Sequence, residues 1–158
     1  MKRIFTAMFA IPILLAVIIA TPRLVFATVV IATALVGYWE FSALRAATNS
    51  RLLHVGYLTT SLLVVSFYTD KFSFLTASLL SIFIITINAM FSDTPSEKRA
   101  VSLMGTIFAT FYLGALLGTI VGLRMLGPDT SGRFAVIFLL AIVMIGDAAA
   151  FYIGTAFG

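Results

Sequence analysis

Six apolar runs, each longer than a small soluble domain can bury in its core, govern what this chain can fold into. They cover about Ile4–Ala20, Leu24–Leu44, Leu52–Tyr68, Phe72–Phe91, Val101–Leu123 and Phe134–Phe157. A bilayer's hydrocarbon core, about 30 Å thick, is crossed by about 20 apolar residues of helix. Runs of this length are too long for a globular core and mark a polytopic membrane protein. The expected fold class is therefore all-α, a polytopic integral membrane helical bundle of about six transmembrane helices. Residues 1–158 form a single membrane domain. Composition agrees, because 61% of the chain is hydrophobic and only 10% is charged, which no ordinary soluble domain tolerates.

The connections are short. Thr21-Pro22-Arg23 joins the first two runs, Arg45 to Arg51 the second and third, and Asp70-Lys71 the third and fourth. Ser92 to Arg99 is the most polar segment, with Thr94 or Ser96 placed to cap the next helix and Pro95 at a first-turn position. Gly127-Pro128-Asp129 marks a turn ahead of the last run. Loops of this size leave no room for a soluble catalytic domain. Lys2-Arg3 before an apolar stretch looks like the start of a signal peptide. No small-x-small motif ends that stretch, however, and Pro22 follows Ala20-Thr21, so a retained first span is expected.

Charge adds an orientation. Lys2, Arg3, Arg45, Arg51, Lys98 and Arg99 fall on one side of a six-span chain, and Arg23, Lys71, Arg124 and Arg133 on the other. The excess favours a cytoplasmic N-terminus. The formal charge of +4 is spread singly or in pairs, so no basic patch is dense enough for nucleic acid, and no nucleic-acid partner is expected. With no cysteine, disulfides and thiol chemistry are excluded. His54 has no second histidine anywhere in the chain and is read as interfacial. No P-loop and no H-E-x-x-H motif is present.

Three polar residues inside the runs are candidate site residues. Asp147 lies well within the last run, where a lone charge costs roughly 2.5–3.5 kcal/mol on insertion scales. Its neighbours one turn away, Val143, Met144, Ala150 and Phe151, cannot pair with it, so a partner must come from another helix, water or a ligand. Glu40 and Asn88 fall in the same, cytoplasmic halves of their helices and are candidate substrate contacts. Their ordinary alternatives are an interfacial, snorkelling Glu40 and a helix–helix hydrogen bond from Asn88. Two stripes of small residues, Gly114/Gly118/Gly122 and Gly146/Ala150/Gly154/Gly158, suit close helix packing and offer a route to a homodimer.

Three motifs in order carry a family resemblance. They are Lys2-Arg3-Ile4 leading into Ala10-Ile11-Pro12, Tyr38-Trp39-Glu40-Phe41 with Leu44, and Asp147 followed by small residues, Phe151-Tyr152 and Gly154-x-x-Phe157-Gly158. Together they resemble the phosphatidate cytidylyltransferases (CDP-diacylglycerol synthases), across the whole chain. Ala148 stands where that family usually has Ser or Thr, and Thr155 where it usually has Arg or Lys. The family's lysine-bearing and acidic, glycine-rich segments have no counterpart here. The chain is thus expected to be the N-terminal part of a longer enzyme, inactive by itself. The resemblance implies cytidylyl transfer from CTP to phosphatidate with Mg²⁺ as cofactor, at a bacterial-type inner (cytoplasmic) membrane. It implies Asp147 as the catalytic residue of this segment and a candidate metal ligand.

The residues themselves leave two rival readings open. One is a small transporter or channel subunit with Asp147 as an ion or proton site. The other is a non-catalytic scaffold dimerising through the glycine stripes.

Overall fold

The computed structural model describes residues 2–44, 50–69, 72–92 and 95–157. Arg45, Asp70, Lys71, Thr94 and Gly158, which enter the argument above, lie outside the described residues. The described chain is helical throughout: α1 (Lys2–Ala20), α2 (Arg23–Leu44), α3 (Ser50–Ser66), α4 (Phe74–Met90), α5 (Ser96–Ala109), a π-helical segment (Thr110–Ala115), α6 (Leu116–Met125) and α7 (Asp129–Phe157). The all-α membrane bundle expected from the apolar runs is what forms. Three helices are long and apolar enough to cross a bilayer by themselves: Arg23–Leu44, the continuous Lys98–Met125 and Asp129–Phe157. At ~1.5 Å per residue they measure about 33, 42 and 44 Å. The 17 residues of α3 and of α4 make shorter apolar rods, about 26 Å each.

Several polar side chains inside these runs bond back to their own helix, although the buried Thr60, Ser78 and Ser81 hydroxyls meet no described partner. Thr28 and Thr33 donate to the carbonyls of Leu24 and Val29, Ser61 to Tyr57 and Thr106 to Ser102. Each hydroxyl is thereby satisfied without a partner helix. Helix ends are marked locally. Ser73, in extended backbone, accepts from the Leu75 N–H at 3.3 Å to open α4. Pro95, not Ser96, occupies the cap position of α5, and no side chain caps it. Gly127 takes φ +58°, the left-handed conformation glycine reaches without a Cβ penalty. It turns the chain so that the Pro128 carbonyl receives the Ser131 and Gly132 N–H groups at 3.0 and 3.2 Å. As a result α7 starts at Asp129, earlier than the apolar run at Phe134 suggested.

The chain divides into two compact units, Leu24–Gly122 and Met1–Arg23 with Leu123–Gly158. In the first, α3 packs against α4, α5 and the π segment. Leu52, Ile85 and Ala89 form its buried nucleus, backed by Val55, Leu103 and Ile107. The buried faces are otherwise small or hydroxylated: Ala77, Ser78 and Ser81 on α4, Thr59 and Thr60 on α3, Ser102, Thr106 and Ala109 on α5. In lipid the hydrophobic effect does not drive helices together, so close backbone approach has to, and small residues permit it. The second unit pairs α1 with α7.

The fifth run departs from the single regular helix expected of it. Six residues, Thr110–Ala115, are π-helical. Here α3 comes closest: a Cβ on Gly114 would stand 3.0 Å from the Thr60 carbonyl oxygen and 3.2 Å from Leu63 Cβ. The Thr59 and Thr110 hydroxyls lie 3.2 Å apart at the same level. Insertions of this kind often sit at functional or closely packed positions. Gly118 and Gly122 continue the contact against Phe67, so this stripe is used for packing within the chain. The stripe on α7 differs, with open space around Gly146 and Gly154.

Candidate functional site

Asp147 lies on α7, about 27 Å along the helix from Asp129. It is exposed, as is every described residue from Ala141 to Phe157. No hydrogen bond or ion pair reaches it from any described residue, so its carboxylate is available to a ligand. Phe151 and Tyr152, from the same motif, are exposed with their rings edge-on at 5.7 Å.

The second-helix motif sorts its residues by face. Tyr38 is fully buried, its ring beside that of Tyr57 at 5.2 Å and pressed onto Gly56, where any Cβ would overlap it. Phe41 meets Phe108 at 5.8 Å. Trp39 and Glu40 point outward, and Glu40 makes no bond to a described residue. Asn88 is half-buried and donates from Nδ2 to the Ile84 carbonyl at 2.9 Å. That bond is to its own helix, so the interhelical bond considered for it is not the one it makes. Its Oδ1 and second amide N–H meet no described partner. Glu40 and Asn88 share the unit Leu24–Gly122 but no bond, and Asp147 belongs to the other unit.

Among the described residues no group of three or more Asp, Glu, His or Cys side chains could by itself hold a metal ion. Mg²⁺ does not require one, since it keeps much of its water and is commonly held by one or two carboxylates together with substrate phosphates. The exposed, unpaired Asp147 carboxylate fits that donor set as one oxygen ligand.

A second polar centre was not foreseen. In the unit containing α1 and α7, three guanidinium groups converge on Asp129. Arg124 Nη1 is 2.5 Å from Oδ1, Arg133 Nη2 is 2.7 Å from Oδ2, and Arg23 Nε is 3.3 Å from Oδ1. Arg23 also donates from Nη2 to the Gly127 carbonyl at 2.7 Å, and Arg124 from Nη2 to Thr21 at 3.4 Å. The Arg124 side chain is completely buried, while Arg23 and Arg133 keep 35% and 33% of theirs exposed. The Arg124 hydrogen bond, chiefly, holds the Asp129 carboxyl below the usual carboxylate range. Partial burial opposes this, and the charges of Arg124 and Arg133 and the Arg23 hydrogen bond add to it. The four-residue spacing of Asp129 and Arg133 was the one local signal for this cluster.

The sequence model of the cytidylyltransferase family matches residues 1–158, the whole chain. The chain belongs to the cytidylyltransferase family. No curated protein and no solved structure matches it. The membership agrees with the resemblance carried by the three motifs. It makes this membrane protein one of a family of CTP-using nucleotidyltransferases, and of the residues above, Asp147 and Glu40 are those the matching motifs contain.

Proposed function

We propose that this cytidylyltransferase-family chain belongs to a CTP:phosphatidate cytidylyltransferase, which makes CDP-diacylglycerol and pyrophosphate for phospholipid biosynthesis in a bacterial-type cytoplasmic membrane. The observation that carries the proposal is an exposed carboxylate without a partner, Asp147, in the most apolar of the three long helices of a chain that matches the family throughout. A phosphate oxygen of phosphatidate attacks the α-phosphorus of CTP. The bond from that phosphorus to the oxygen bridging the β-phosphate breaks, and pyrophosphate leaves with the electron pair.

Two polyanions must meet for this, so the reaction is limited by charge neutralisation and alignment. Asp147 is the proposed oxygen ligand for Mg²⁺, which when bound neutralises phosphate charge and clamps both reactants. Glu40 and Asn88 are proposed contacts to polar groups of the substrates. Glu40 offers a free acceptor and Asn88 an amide with donor and acceptor capacity to spare. The apolar flanks of α7 leave the lipid tails in the bilayer while the headgroup reacts.

The test is Asp147→Asn in the intact enzyme carrying this chain. The substitution preserves volume and most hydrogen bonding but removes the charge. We expect normal membrane insertion and a fall in kcat/KM of at least ~100-fold, equal to about 2.7 kcal/mol. Partial recovery at high Mg²⁺ should accompany it. Full turnover by a well-expressed variant removes Asp147 from the reaction.

A further inference from the structure

The Asp129 cluster stands at the head of an apolar groove, and the two form one amphiphilic feature. Three guanidiniums share a single carboxylate, so these four groups carry a formal surplus of two positive charges. Donors remain unused as well. Arg133 engages Asp129 through Nη2, and Arg23 uses Nε and Nη2, so Nη1 of each meets no described acceptor. A guanidinium presents five N–H donors in a fixed fork suited to phosphate oxygens. Both are about one-third exposed, enough for an anion to reach them.

Below them a slot of about 250 Å³ runs between α1 and α7, lined by Leu14, Leu15, Ile137, Leu140, Ala141 and Met144 with scarcely any polar surface. The α7 positions recur at helical spacing from Arg133, so the arginine and the groove share one face of the helix. From Arg133 to Met144 is about 16 Å of helix rise. That is one leaflet of a hydrocarbon core about 30 Å thick. The slot is smaller than the 300–1,000 Å³ typical of sites enclosing a whole ligand. One turn of a helix about 10 Å across and about 5.4 Å long fills about 420 Å³, more than the slot holds. A single alkyl chain suits it.

We propose that this face binds one anionic phospholipid, its phosphate held by Arg23 and Arg133 beside the buried Arg124–Asp129 pair and one acyl chain lying in the α1–α7 groove. The positive-inside argument puts this end opposite the N-terminus, in the other leaflet from the proposed reaction, so the lipid is a bound structural partner rather than the substrate. The assignment does not depend on which reaction the chain serves. Asp129 has a defined part in it: one carboxylate aligns three arginines that would otherwise repel, while leaving them a net attraction for an anion.

The test is native mass spectrometry of the full chain released from micelles holding equal amounts of phosphatidylglycerol and phosphatidylcholine with matched acyl chains. One retained lipid per chain is expected, enriched in the anionic species by ~10-fold, equal to about 1.4 kcal/mol. Arg23→Gln with Arg133→Gln should lower that enrichment at least ~5-fold, whereas the double lysine variant retains most of it. Ala141→Phe, which fills the groove, should reduce retention of both lipids with the arginines intact. Inorganic phosphate at tens of millimolar should not displace the lipid, and displacement would show a free-anion site instead. A retained-lipid ratio equal to that of the mixture, measured on the unsubstituted chain, overturns the proposal whatever the variants do. So does enrichment that survives loss of both arginines.

Discussion

The two glycine stripes make opposite predictions under the same substitution. Gly114→Ala adds a Cβ that would lie 3.0 Å from the Thr60 carbonyl oxygen and 3.3 Å from Thr60 Cα. Both are backbone atoms, so α3 itself must move. Gly146→Ala adds a Cβ with nothing within 4 Å. The intrinsic helix gain of alanine over glycine, ~0.8–1.0 kcal/mol, is common to both and cancels in the comparison. What remains is overpacking at Gly114, about 1–3 kcal/mol. Gly118→Ala should fall between them, because its nearest contacts, at 2.5 and 2.9 Å, are Phe67 ring atoms that can swing aside. Unfolding in dodecylmaltoside–SDS mixed micelles, followed through the single tryptophan Trp39, gives all three stabilities. Gly146→Ala is expected to match or exceed the parent, and Gly114→Ala to fall about 1–3 kcal/mol below Gly146→Ala. Equal stabilities for the two would refute the assignment of one stripe to internal packing and the other to open surface.

Three further outcomes are expected. Single cysteines at Ser50, Ser96 and Ser131 of this cysteine-free chain should label with an impermeant reagent from one side for the first two and from the other for the third; labelling of Ser96 and Ser131 from the same side contradicts the six-span order. Because the folded pKa of Asp129 is depressed, its stabilising contribution is complete above the ordinary carboxylate range and is lost as pH falls through the lower folded value. Acid melting curves of Asp129→Asn should therefore lack a step that the parent shows in that window. Glu40→Gln and Asn88→Ala in the intact enzyme should each raise KM for a substrate more than they lower kcat, and an unchanged KM for both CTP and phosphatidate in both variants would remove these two residues from the site.

The helical architecture was legible because lipid imposes it: long apolar runs admit one backbone solution, and Gly127-Pro128 says where the last helix turns in. The π segment was not legible. It lies where Thr110 and Gly114 meet Thr59 and Thr60, about fifty residues away in sequence, and nothing in Thr110–Ala115 marks it locally. The glycine stripes show the same limit more sharply. Gly114/Gly118/Gly122 and Gly146/Ala150/Gly154 carry the same four-residue spacing, yet α3 crosses one and nothing described lies within 4 Å of a Cβ on Gly146 or Gly154. Periodicity reports that a helix face is able to pack; only tertiary structure reports whether anything lies on it.

The polar residues divide along the same line. Asp147 could be singled out because its anomaly is local: a carboxylate in an apolar run whose own helix supplies no partner. The structure preserves that anomaly, leaving the side chain exposed and unpaired among the described residues. The arginine cluster is the reverse case. Arg23 and Asp129 are 106 residues apart, and in sequence both look like ordinary loop charges at the end of a span. Only the antiparallel pairing of α1 with α7 brings them together, with Gly132 letting the first turn of α7 press against the Arg124 carbonyl where any Cβ would overlap. A buried Arg124, bonded through both Nη atoms, beside two arginines that are about one-third exposed is thus a product of topology. Charges at loop ends count toward orientation in a sequence argument. In the folded chain these four also set the local field that an anionic headgroup would meet.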